Sequence, residues 1–353
     1  MPNAGREWMI YGATGYTGAL LAERAAELGQ KPVLAGRDAL KLRPLAGRLG
    51  LPFRAFPLDD AHAVREGVAG MGLVLHCAGP FSATSRPMLD ACLAERAHYL
   101  DITGEIDVFE ACYARDAEAK VRGVVVMPGV GFDVVPTDSL AALLAARLPG
   151  AKRLELGIAA DVKVSQGTAK SAIESLPRGT LARRGGHITK IAPLVRTIDV
   201  DGVPRQAMAA AWGDVASAWR TTGIPDITVY MTFPPAVIAA ARAFRFALPL
   251  LGAAAVQRTL RRLVEERVEP PTAEDRERGR THIWGRVEDI SGRSVEGTLR
   301  CGEGYAFTVH AALAIAEKVR SGAVPAGATT PARALGGDFV RTLPDVTISL
   351  PGD

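Results

Sequence analysis

Cysteine is scarce in this chain, and the four present are scattered. Cys77, Cys92, Cys112 and Cys301 form no CxxC pair and have no histidine pair nearby. That spacing argues against a disulfide framework, predicts no metal site, and fits a reducing compartment. An excess of one charge is also missing: 42 Lys+Arg against 38 Asp+Glu leaves +4. No Lys/Arg run and no basic stretch interleaved with aromatics occurs, so no nucleic-acid partner is expected. The N-terminal MPNAGREWMIYG lacks the basic start and apolar core of a signal peptide, so a cytoplasmic location is expected. One absence is local. Ile227–Val264 contains no Asp or Glu, while Arg242, Arg245, Arg258, Arg261 and Arg262 interrupt its apolar stretches. Its run Phe246–Val256 is broken by Pro249 and falls short of the ~20 residues needed to span a bilayer. The pattern predicts one or two amphipathic helices within 233–262. Four roles stand open for them: covering a hydrophobic substrate tunnel, a subunit contact, peripheral contact with the inner membrane surface, or packing on a sheet of the same chain.

What is present is ordinary globular composition, 48% hydrophobic and 23% charged, at a length that suggests two domains. The first third alternates short apolar runs with helical patterns. Trp8–Tyr11, Pro32–Ala35, Phe53–Pro57, Leu73–His76, Tyr99–Ile102 and Val124–Met127 are unalternating runs, and helix-like segments separate them. Such runs predict strands buried on both faces of a parallel sheet, and right-handed crossovers make the sheet doubly wound. After Gly150 the texture changes to longer strands with hairpin signals at Asp201-Gly202 and Ser291-Gly292. The expected fold is therefore α/β: a Rossmann-type doubly wound parallel sheet, with a second α+β domain containing a mixed or antiparallel sheet. Residues 1–150, rejoined by 303–353, are expected to form the dinucleotide-binding domain. Residues 151–302 would form the substrate domain, its open sheet serving for homodimerisation.

The most informative motif is IYGATGYTGALLAE. Gly12, Gly15 and Gly18 fall directly after a predicted strand and open a predicted helix. Glycines permit the tight turn and let backbone N–H groups approach a pyrophosphate, and the helix N-terminus supplies positive partial charge. Thr14 and Thr17 add hydroxyls to this loop. Cofactor choice is read at the end of the second strand, VLAGRDALKL. NAD binders usually carry an acid about 20 positions after the loop. Here Gly36-Arg37 stands there, with Lys41 one turn later. Two cations suit a 2′-phosphate, and an Arg fork matches its oxygens, so NADP(H) is expected. Asp38 complicates this, since an acid there could still bind a 2′-hydroxyl.

Downstream, Asp59-Asp60 follows the third strand, and Asp60 is read either as an adenine contact or as a helix cap. Cys77-Ala78-Gly79-Pro80-Phe81 follows the fourth strand, at the carboxyl edge where such sheets bind ligands. Cys77 reads as a packing residue, because no basic partner lies near it in sequence, and His76 and His98 read as buried, satisfied histidines. Two rim segments carry carboxylates, Tyr99–Glu105 and Gly129–Asp133 followed by Pro136-Thr137-Asp138. A reductase needs a proton donor beside its hydride acceptor, so Glu105, Asp101, Asp133 and Tyr99 are the catalytic candidates. The competing reading makes Thr103/Glu105 and Thr137/Asp138 helix caps.

These motifs together resemble the saccharopine-dehydrogenase-like oxidoreductases, in particular the bacterial branch with the trans-acting enoyl reductases. GATGYTG (Gly12–Gly18), LAGRDALKL (Leu34–Leu42), CAGPF (Cys77–Phe81), HYLDITGE (His98–Glu105), GVGFDVVPTD (Gly129–Asp138) and TPARALG (Thr330–Gly336) carry the likeness. The resemblance implies an NADP-binding Rossmann domain with an inserted α+β domain. It assigns cofactor contacts to Gly12, Thr14, Gly15, Tyr16, Gly18 and Arg37, and it supplies no catalytic residue. Family members that make saccharopine handle polycarboxylates, whereas this second domain is apolar. The expected activity is therefore reduction of an activated C=C on a hydrophobic acyl chain. An imine-reducing amino-acid-type dehydrogenase, or a non-catalytic NADP-binding redox sensor, are the alternatives.

Overall fold

The computed structural model describes residues 5–160, 163–243 and 251–352. In chain order the first elements are β1 (Trp8–Tyr11), α1 (Tyr16–Glu27), β2 (Val33–Gly36), α2 (Ala39–Leu49), β3 (Phe53–Ala55) and α3 (Ala61–Val68). They continue with β4 (Leu73–His76), α4 (Phe81–Glu95), β5 (His98–Asp101), α5 (Ile106–Tyr113), α6 (Asp116–Arg122) and β6 (Val125–Met127). Then come α7 (Val135–Arg147), β7 (Arg153–Ala160), α8 (Gln166–Ser175), β8 (Thr180–Arg184), β9 (His187–Ile191), β10 (Val195–Val200), β11 (Val203–Ala209) and α9 (Asp214–Thr222). The chain goes on through β12 (Asp226–Thr232), α10 (Pro235–Ala243), α11 (Ala254–Arg267), α12 (Ala273–Arg278), β13 (Arg280–Glu288) and β14 (Ser294–Gly302). It closes with α13 (Gly304–Arg320), β15 (Gly327–Ala328), α14 (Pro331–Leu335) and β16 (Thr347–Ser349).

Two compact units result. The first comprises residues up to Phe132 together with Phe307–Leu335, and the second Asp133–Ala306 with Gly336–Asp353. The first unit holds a seven-stranded sheet in the order β15-β6-β5-β4-β1-β2-β3, parallel throughout. This is the doubly wound arrangement that the unalternating runs predicted. Every residue of β1, β2 and β4 is buried, because crossover helices cover both faces. Strand order reverses between β1 and β4, and such sheets bind ligands in the crevice at that switch point. The loops that follow β1 and β4 are the glycine loop and CAGPF.

The second unit is built on a mixed sheet running β10-β11-β12-β7-β13-β14-β16, with β8 and β9 off that path. Only β12 and β7 pair in parallel; the remaining pairs are antiparallel. The Asp201-Gly202 signal is realised as the two-residue turn of the β10–β11 hairpin. Both turn residues are left-handed, at φ +58° and +81°, as this turn requires. Its strands close an apolar cluster of Ala159, Ile198, Val200, Ala207, Ala209, Tyr230 and Trp284.

The basic apolar segment forms α10 and α11, with Phe244–Leu250 outside the described residues. Helix α11 is fastened to α8 by Arg261–Glu174 at 2.6 Å and Lys170–Glu265 at 2.7 Å. In α10 only Ile238 is buried. Among the described residues no helix is long and apolar enough to cross a membrane.

Between α7 and α9 lies a polar pocket that the sequence did not announce. Asp138, Asp214 and Ser217 are fully buried. Thr137 has one hydroxyl proton, yet its Oγ1 lies 3.0 Å from the Val134 carbonyl and 2.9 Å from Asp214 Oδ2. The arrangement closes if Asp214 keeps its proton and donates to Thr137, which donates onward to Val134. Burial first, and the Asp138 charge second, hold the Asp214 carboxyl well above its ordinary value of 3.8. The folded state thus binds this proton more tightly than the unfolded state, and its contribution to stability fades as pH rises from about 3.8 upward. Asp214→Asn replaces the neutral acid with a permanent donor. Its stability advantage over the wild type should grow with pH across that range. Parallel thermal melts check this, and a variant that loses ground as pH rises contradicts it.

Candidate functional site

The glycine loop owes its shape to contacts no larger residue permits. Gly12 adopts φ +85°, and a Cβ there would lie 2.8 Å from Ala78 N and 2.9 Å from Cys77 C. A Cβ on Gly18 would lie 2.1 Å from the Gly12 carbonyl oxygen. The β1 loop, the β4 loop and α1 are therefore in backbone contact. Gly12 and Ala13 donate their N–H groups to Ala35 O, and Gly15 donates to Gly12 O. Helix α1 has Gly15 as N-cap, with no capping side chain and no acid in its first turn. Its positive end is thus left to an incoming anion. Thr14 is exposed, and Tyr16 and Thr17 are partly exposed, at the lip of this cradle.

At the end of β2 the cofactor question becomes concrete. Asp38 is the N-cap of α2, its Oδ1 accepting from Leu40 N at 2.9 Å and Lys41 N at 3.3 Å. That oxygen is committed to the helix. Arg37 and Lys41 are exposed, and among the described residues neither side chain forms an ion pair. Tyr11, at the end of β1, donates to Phe56 O at 2.9 Å, and burial raises its hydroxyl to about 12. Asp60 is the N-cap of α3, accepting from His62 N and Ala63 N. Of the two readings of Asp60, the helix cap is the one seen in its hydrogen bonds.

The β4 loop is clamped from several sides. Gly79-Pro80 is a cis peptide. Thr84 Oγ1, on the first turn of α4, lies 2.6 Å from Ala78 O and 3.0 Å from Pro80 O. His76 Nε2 stands 3.1 Å from the same hydroxyl. With the Thr84 proton directed to a carbonyl, Nε2 is the donor to Thr84. Burial holds His76 neutral, its pKa lowered to about 3. Sequence reasoning missed Thr84, whose one signal is its position four residues after Pro80. Burial raises the Cys77 thiol, in keeping with packing rather than nucleophilic chemistry.

Three of the four catalytic candidates turn out to be rim fasteners. Glu105 accepts from Phe81 N at 2.9 Å and Ser82 N at 2.7 Å, one carboxylate oxygen each. It caps α4, not the helix that follows it. Asp101 is fully buried; its Oδ1 accepts from Thr103 N and Gly129 N, and its Oδ2 from Tyr99 OH at 2.6 Å. Burial raises its pKa to about 6. Tyr99 is likewise fully enclosed, and burial drives its hydroxyl far up. Neither can meet a substrate, so both are corrected to structural roles. Asp133 is partly exposed, and its main-chain oxygen accepts from Trp212 Nε1 at 2.8 Å. His98 accepts from Val125 N through Nδ1, the satisfied histidine expected. Among the described residues, no three His, Cys, Asp or Glu side chains group as metal ligands.

Comparison with known proteins places these features. Residues 8–127 match the family model of the saccharopine dehydrogenase NADP binding domain. A trans-acting enoyl reductase of Mycobacterium leprae is 33% identical over 143 residues, covering 37% of this chain and 33% of that protein. One from Mycobacterium tuberculosis is 32% identical over 154 residues, 39% of this chain and 35% of that protein. The matched segment spans about a third of the length of these curated relatives. Apo saccharopine dehydrogenase (L-Glu forming) from Saccharomyces cerevisiae superposes with a TM-score of 0.66 at 11% identity. That likeness covers 98% of this chain and 100% of the yeast chain, and it concerns the fold alone.

Proposed function

We propose that this chain, in which residues 8–127 form an NADP-binding domain of the saccharopine dehydrogenase type, is an NADP(H)-dependent oxidoreductase acting on a hydrophobic acyl-type substrate. The observation that carries the cofactor half is at the end of β2: Arg37 is exposed while Asp38 caps α2 through one carboxylate oxygen. Gly12, Thr14, Gly15, Tyr16, Thr17 and Gly18 would hold the pyrophosphate, and Arg37 with Lys41 the 2′-phosphate. The loop Cys77–Phe81 would flank the ribose and nicotinamide, since such ligands lie beyond the carboxyl ends of the strands.

The chemistry that the reduced cofactor would supply when bound there is a hydride for the β-carbon of an activated C=C. The α-carbon would take a proton from a rim acid or from water, giving a saturated acyl chain and the oxidised cofactor. The names of the relatives support an enoyl substrate. The rim supports a neutral one: the Cys77–Phe81 loop and Thr103–Glu105 carry no cation, and the positive end of α4 is already neutralised by Glu105.

The full chain with NADPH should consume it in the presence of enoyl thioesters, and much more slowly with NADH. Turnover confined to keto-acid/amine pairs would establish the imine-reducing alternative. Tight NADPH binding with no turnover across enoyl thioesters, ketones and such pairs would identify a redox sensor.

A further inference from the structure

Helix α4 begins at the CAGPF loop without a cap of its own. Its N-cap is Pro80, which offers no side-chain acceptor, and its first turn contains no acid. A helix of 15 residues leaves strongly polarised N–H groups at that end. They are satisfied from 24 residues downstream in sequence, where both oxygens of Glu105 meet Phe81 N and Ser82 N.

Glu105 is itself held in place. Its own N–H bonds Thr103 Oγ1 at 3.1 Å, and Thr103 N bonds Asp101 Oδ1 at 3.0 Å. That same oxygen accepts from Gly129 N at 2.9 Å. Two carboxylates therefore lace together the loops after β4, β5 and β6. The loop after β1 joins the same framework where Gly12 abuts Ala78 and Cys77.

We infer that Glu105 is the positioning residue for the nicotinamide half of the cofactor, an internal anion that sets the Cys77–Phe81 loop, and not the acid that protonates substrate. Each of its two oxygens is engaged as an acceptor by an N–H of the α4 terminus, so the carboxyl group is turned to the loop and not to a substrate. It also fills a seat that a substrate carboxylate would otherwise find, which narrows the proposed substrate class to neutral acyl groups. The inference rests on the NADP(H) reading of this domain.

The test measures NADPH affinity by nicotinamide fluorescence, together with the pH profile of turnover, in the full chain. Glu105→Ala should weaken NADPH binding about 10- to 100-fold by leaving the α4 N–H groups without an acceptor. KM should rise more than kcat falls, and the pH profile should keep its shape. Formate should restore much of the affinity, by occupying the vacated helix end, while neutral formamide should not. Should the alanine variant not fold, Glu105→Gln retains one acceptor oxygen and should show a smaller loss of affinity with the same unaltered profile.

Three results overturn the inference: unchanged NADPH affinity in both variants; loss of one limb of the pH profile at unchanged affinity; or a folded alanine variant that no small anion rescues. A wild-type protein that does not bind NADPH defeats the cofactor reading instead, and is distinguished by that first measurement.

Discussion

Gly12→Ala is expected to abolish measurable NADPH binding and to lower stability. Two costs combine. The first is conformational: at φ +85° an L-residue is strained by about 1–2 kcal/mol. The second is steric and larger in consequence, because the new Cβ would meet Ala78 N at 2.8 Å and Cys77 C at 2.9 Å. Both are backbone atoms and cannot rotate away. The β1 and β4 loops must part, although hydrogen bonds to Ala35, Tyr11 and Glu105 hold them in place. An NADPH Kd at least about 100-fold weaker is expected, since sub-ångström misplacement is felt in a close-packed cradle. Gly29→Ala is the matched control. Gly29 is also left-handed, at φ +72°, but a Cβ there meets nothing within 4 Å. It should cost about 1 kcal/mol of stability and leave NADPH affinity alone. Equal NADPH affinity in Gly12→Ala and wild type would show that this loop does not cradle the dinucleotide.

The contrast between these glycines bears on what a sequence can disclose. The cradle was legible because its requirements are local: three glycines between a strand and a helix have few other uses. Asp60 was legible as a cap for the same reason, bonding N–H groups two and three residues on; Asp38 does the same at α2, although the sequence offered it only as a 2′-hydroxyl ligand. The sheet was legible because burial on both faces removes polar alternation from β1, β2 and β4.

Asp101 was misread, and the reach of Glu105 went unseen, because their partners are remote in sequence. A Glu after a strand and ahead of a helix reads as a cap for its own helix or as a rim acid. Nothing local states that its oxygens reach Phe81 and Ser82. Asp101 reaches Gly129, 28 residues away. The α7–α9 pocket is a stronger case, since Thr137 and Asp214 lie 77 positions apart. Polar residues at the carboxyl rim of a parallel sheet have two possible employers, the ligand and the neighbouring loops. Residue type alone cannot decide between them.

Arg37→Asp should reverse cofactor preference, and the reason lies in its neighbour. Asp38 Oδ1 is held at the α2 N-terminus by two N–H bonds, so Arg37 is the side chain at the end of β2 whose charge the substitution reverses. Arg37 is exposed, so its substitution should leave the fold intact. A guanidinium paired with a phosphate contributes about 1.5–3 kcal/mol through charge-assisted bonds, and an acid in its place adds repulsion. NADPH affinity should fall about 100- to 1000-fold, at 1.4 kcal/mol per decade. NADH should bind no worse, and up to about ten-fold better, because the new carboxylate can accept from the ribose 2′-hydroxyl. Lys41→Ala should cost far less, about three- to ten-fold, as an exposed point charge on a flexible stem. Salt dependence supplies an independent readout. Wild-type NADPH affinity should weaken with ionic strength, and the Arg37→Asp variant should lose most of that slope, since the attraction being screened has been removed. An NADPH/NADH preference unchanged by the substitution would place the 2′-phosphate elsewhere than at the end of β2.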